Sequence, residues 1–64
     1  MVNKEIAMEL LKMWVDAEVV VMWETSTNFD ASRQMIWKKT QVYLDKLEIE
    51  DFDYIEELKC IIFH

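Results

Sequence analysis

Cys60 and His64 stand four residues apart, the spacing that brings two side chains onto one face of a helix. A thiol beside an imidazole is a pair from which nucleophilic catalysis can be built, because the base draws off the proton and leaves a thiolate. These are the only cysteine and the only histidine of the chain, and no third group accompanies them to orient the imidazole. The expected states are a plain reduced cysteine and a solvated histidine. One thiol forms no disulfide within the chain, and one Cys with one His falls short of the four ligands of a structural zinc site.

The other chemistry-bearing sets are no fuller. Asp51 and Asp53 sit two apart in an acidic run, but a calcium loop needs a third oxygen-bearing residue at fixed spacing and a glycine for its sharp turn. Arg33, Trp37, Lys38 and Lys39 mix cations with an aromatic ring, the combination that stacks and holds single-stranded nucleic acid. Three cations in a chain of net charge −6 make a poor electrostatic footprint, since such binding rewards clustered Lys and Arg. Carboxylates are too plentiful for any pair to be informative. The expectation is a non-catalytic protein with no cofactor, no metal ligands and no direct contact with nucleic acid or membrane.

Acid is unevenly distributed. Residues 45–64 carry seven acids and two bases, while residues 1–44 carry six acids and five bases. The stretch DKLEIEDFDYIEE could dock on a basic protein surface through Glu48, Glu50, Asp51, Asp53, Glu56 and Glu57, steered by its field. Its plainer reading is a solvated loop and helix start, where acids favour the positive end of the helix dipole.

The elements that would carry these groups follow from composition and periodicity. Sixty-four residues with 53% hydrophobic content make one domain, residues 1–64, which buries only about 60% of its unfolded surface. Oligomerisation is then the device left for adding stability, disulfide and metal being ruled out by count. Glycine and proline are both absent, and two-residue hairpins depend on glycine-type positive φ whereas helices do not. The predicted fold is all-α, a small three-helix bundle or array with helices at about 3–24, 29–47 and 51–63.

Asn3 is a suitable N-cap for the first helix, with Glu5 in its first turn. Ile6, Leu10, Met13, Trp14, Ala17 and Val21 fall on one face and read as its core stripe. Met8, Leu11, Val15 and Met22 form a second stripe, turned by about 140° from the first at 100° per residue. The run VVVMW, residues 19–23, continues both stripes and reads as the last turns of this helix. Valine's lower helix propensity costs a few tenths of a kcal/mol per residue, less than the roughly 1.5 kcal/mol gained on burial. The alternative pairs residues 19–23 with 60–63 as strands of a small α+β fold.

TSTNFDAS, residues 25–32, is a loop whose Thr27 or Asn28 can cap the second helix. Ile36, Trp37, Tyr43, Leu44 and Leu47 share one face of that helix. The third helix starts near Asp51 or Asp53 and presents Tyr54, Ile55, Leu58, Ile61 and Ile62 to the core.

An apolar arc on helix 1 wider than two neighbours can shelter calls for a partner. The interface is therefore expected at Met8, Leu11, Val15 and Met22, with Trp23 beside them, and the expected function is an acidic helical interaction module that self-associates as a homodimer through helix 1. The alternative is a small acidic inhibitor or decoy that occupies the basic groove of a nucleic-acid-binding protein or nuclease. Charged residues break the amino-terminal apolar pattern and no run is long enough for a membrane span, so a cytoplasmic home is expected.

Overall fold

The computed structural model describes residues 3–64. Three α-helices follow in order: α1 Lys4–Thr25, α2 Phe29–Lys46 and α3 Phe52–Phe63. Residues 19–23 are helical and no strand occurs among the described residues, so the valine run belongs to α1 and the strand pairing is excluded. Each helix begins at a residue whose side chain satisfies an orphan amide of the first turn. Asn3 accepts from the Glu5 N–H, Asn28 from the Ala31 N–H, and Asp51 from the Tyr54 N–H. Asp51, not Asp53, is thus the cap of α3.

Without glycine, α2 is stopped by a less usual residue. Glu48 takes a left-handed φ of 56°, its N–H donating to the Asp45 carbonyl while the Ile49 N–H reaches back to Leu44. This is the paired-bond Schellman termination normally built on glycine. Leu44 and Ile49 are both buried, which supplies the hydrophobic contact that accompanies the motif. Lys4 Nζ donates to the Glu48 carbonyl at 2.9 Å and ties this turn to the start of α1.

The core is drawn from all three helices and the second loop: Leu11, Val15 and Met22 of α1, Ile36 and Leu44 of α2, Ile49, and Leu58 and Ile62 of α3. Thr40 is also fully buried, its hydroxyl donating to the Ile36 carbonyl at 2.7 Å. Of the face expected on α2, Ile36 and Leu44 are buried and Trp37 and Leu47 partly so, whereas Tyr43 is exposed.

On α1 the two stripes have exchanged roles, except that Trp14 of the expected core stripe stays packed against the core. Leu11 is 5% exposed and Val15 0%; Leu10 is 59% exposed and Met13 64%. The charges that border each stripe account for the choice. Lys12 borders the buried stripe and pairs with Glu57 of α3, keeping its charged head in water at the end of an apolar stem. Glu18, on the other border, lines a hollow with Lys39 and Lys46 of α2. The opposite rotation would carry Glu9 and Asp16, which border the exposed stripe, out of water, and desolvated carboxylates are costly.

Candidate interaction surface

The exposed stripe of α1 consists of Ile6, Leu10, Met13, Ala17 and Val20, with Val21 on one flank. The first five are separated by 4, 3, 4 and 3 residues, the alternation of a coiled-coil seam. The helix is one continuous rod, capped at Asn3 and closed at Ser26, whose N–H bonds the Met22 carbonyl, so the seam runs almost straight along its outer edge. On one flank stand the exposed carboxylates Glu9 and Asp16. On the other lie Trp14 and Val21, and beyond them the outward residues of α2, where Met35, Val42 and Tyr43 are exposed apolar side chains and Lys39 and Lys46 exposed cations. Trp14 meets Tyr43 edge-on, with ring centroids 5.2 Å apart. A shallow, almost wholly apolar hollow beside this pair is lined by Ala7, Leu10, Leu11, Trp14, Tyr43 and Leu47.

The structure corrects the residues expected at the interface. Leu11, Val15 and Met22 are buried in the core and Met8 is mostly buried against it, so this stripe is what holds α2 and α3 in place. The wider expectation was that α1 carries more apolar surface than its two neighbours cover. That surface exists, on the opposite side of the helix. Trp23 is the one residue of the expected set that is half exposed. Its ring packs against Phe29 at a tilt of 50°, centroids 4.7 Å apart, and the Arg33 guanidinium lies over both rings, 5.6 Å and 5.8 Å from their centroids. Trp23 closes the α1–α2 corner of the bundle.

The acidic surface is partly engaged within the protomer. Asp51 caps α3, Glu57 pairs with Lys12, and Glu56 pairs with Lys59 at 3.3 Å. Glu48, Glu50 and Asp53 are exposed. The basic cluster read in the sequence is dispersed. Arg33 packs on Trp23 and Phe29, Trp37 faces Lys59 and Phe63 of α3, and only Lys38 and Lys39 point to solvent.

Cys60 and His64 are both exposed, and the bond between them is the backbone one from the His64 N–H to the Cys60 carbonyl. A cleft of about 730 Å³ where α2, the second loop and α3 meet is lined by Lys4, Trp37, Asp45, Glu48, Glu50 and Lys59 among others. No group of three or more His, Cys, Asp or Glu placed to hold a metal ion occurs among the described residues. Among the described residues, no helix is long and apolar enough to cross a membrane.

Among the described residues two titrations are displaced, both in the α1–α3 contact. The hydrogen bond to Glu57 and its charge hold the Lys12 ammonium above the ordinary lysine value. Burial raises the Tyr54 phenol, with the Glu57 charge adding to it, and its hydroxyl donates to the Met8 carbonyl. These groups act as clasps between helices. No protein family, curated protein or solved structure matches the chain.

Proposed function

We propose that the protein is a non-catalytic helical interaction module that self-associates through the outer seam of α1. The observation that carries this reading is the seam itself: four large apolar side chains at coiled-coil spacing, Ile6, Leu10, Met13 and Val20, each more than half exposed on a folded protomer. With Val21 beside them, they offer an apolar patch on the order of 500 Å², the size of the largest patch on a typical monomer, which is often functional. A second helix laid on the seam would remove that area from water at about 25 cal/mol per Å². Self-association also fits a chain this small, in which a single core supplies only about 3–5 kcal/mol.

The test is the molar mass in solution. Light scattering across a micromolar to millimolar series is expected to report twice the 7.8 kDa of the chain. A monodisperse species of 7.8 kDa at the top of that series overturns the reading.

A further inference from the structure

The charges beside the seam carry information about how two copies meet. Glu9 and Asp16 lie seven residues apart on one flank of α1, and Lys39 and Lys46 lie seven apart on α2, beyond the opposite flank. All four are exposed and none forms an ion pair among the described residues. Seven residues of helix span about 10 Å, so the two pairs have equal reach. Their heights also agree. Trp14 against Tyr43 and Trp23 against Phe29 set α1 and α2 side by side in opposite directions, and the first contact brings Lys46 near the level of Leu11 and Lys39 near that of Glu18. Glu18, Lys39, Lys46 and Trp14 accordingly line one hollow. Each lysine therefore stands within about 3 Å, along the bundle axis, of the level of one of the two carboxylates.

From this register we infer that the partner on the seam is a second copy of this chain, related by a two-fold axis along the helices, with α1 parallel to α1. The inference rests on the self-association proposed above and fixes its geometry. Rotation about such an axis carries each point to the same height on the opposite flank. Asp16 of one copy then faces the partner's Lys39, and Glu9 faces the partner's Lys46. Isologous contact makes each pair twice, giving four opposite-charge contacts around an apolar centre, against one like-charge contact where the exposed Glu24, one turn past Val20, meets its own copy at the end of the seam. The antiparallel arrangement, with its axis across the helices, does the reverse: it sets Glu9 against the partner's Asp16, and the lysines of the two copies against each other. Like-charge juxtaposition of this kind is how interfaces reject a wrong register.

Two experiments on the full chain decide it. Leu10→Cys and Ala17→Cys are made separately in a Cys60→Ser background and oxidised with copper–phenanthroline. In the parallel pair every seam position meets its own copy, so both variants are expected to give a disulfide-linked dimer on a non-reducing gel. An antiparallel pair crosses its own position only once. Cross-linking by at most one variant, while the wild-type mass remains that of a dimer, overturns the orientation and leaves self-association standing; a wild-type monomer removes both.

In the second experiment Lys39→Glu with Lys46→Glu is expected to weaken dimerisation by roughly tenfold, as exposed ion pairs of a few tenths of a kcal/mol each would. Adding Glu9→Lys and Asp16→Lys to the same chain restores it. Further weakening by the added pair contradicts the inference.

Discussion

Ile49, two residues past the cap of α2, donates its backbone N–H to the Leu44 carbonyl at 3.0 Å while both side chains are buried in the core. The bond closes only because Glu48, between them, accepts a left-handed conformation that costs a residue with a Cβ roughly 1 kcal/mol. Glu48→Gly removes that cost. Its backbone carbonyl, which Lys4 contacts, is retained, so thermal unfolding is expected to move upward by a few degrees for the roughly 0.5–1 kcal/mol gained. An unchanged or lower Tm would mean that the turn is held by something other than this termination.

Leu58 is fully buried where α3 meets the other two helices. Leu58→Ala leaves a cavity, and such truncations cost about 2–5 kcal/mol, comparable with all the stability available to a chain of this size. Loss of the cooperative transition in urea at 25 °C is the expected outcome. Phe52→Ala, at the most exposed large apolar side chain among the described residues, should shift the midpoint by no more than about 0.5 kcal/mol.

The α1–α3 clasp sets an alkaline limit. Lys12 and Tyr54 are both raised above their ordinary values in the folded chain, the first by its hydrogen bond to Glu57 and the second by burial. The folded state therefore holds both protons more tightly than the unfolded state, and stability falls as pH rises through the folded values. Urea midpoints are expected to be level between pH 7 and about 9.5 and to decline above about 10. Lys12→Met with Tyr54→Phe should flatten that decline. A slope that survives both substitutions would place the titration elsewhere.

Much of the fold was legible in the sequence. The missing glycine and proline, the caps at Asn3 and Asn28, and apolar spacing near 3.6 define three helices within a residue or two of their observed ends. The rotation of α1 was not recovered, because both stripes have helical spacing and comparable apolar content, so periodicity alone does not say which faces inward. The neighbouring charges hold the answer. Lys12 borders the Leu11 stripe and has an acidic α3 to meet, whereas Glu9 and Asp16 border the Leu10 stripe and are best left in water. The αL turn at Glu48 and the burial of Ile49 depend on long-range packing that no local signal announces in a loop without glycine. Thr40 was missed because a polar type reads as surface, although its hydroxyl is satisfied by the Ile36 carbonyl one turn back.

Leu10 and Leu11 are the same residue type at adjacent positions, one facing outward and the other inward, and they test the central claim most directly. The measurement is paired far-ultraviolet circular dichroism and light-scattering mass on Leu10→Glu and Leu11→Glu. Leu10→Glu is expected to keep its helical spectrum and to fall from twice 7.8 kDa to 7.8 kDa, since a charge on an exposed seam harms only the contact between copies. Leu11→Glu is expected to lose its helical spectrum, because an unpaired carboxylate in the core costs more than the few kcal/mol the fold has to spare. A helical, dimeric Leu10→Glu, or a folded Leu11→Glu beside an unfolded Leu10→Glu, would contradict the assignment of the two faces of α1.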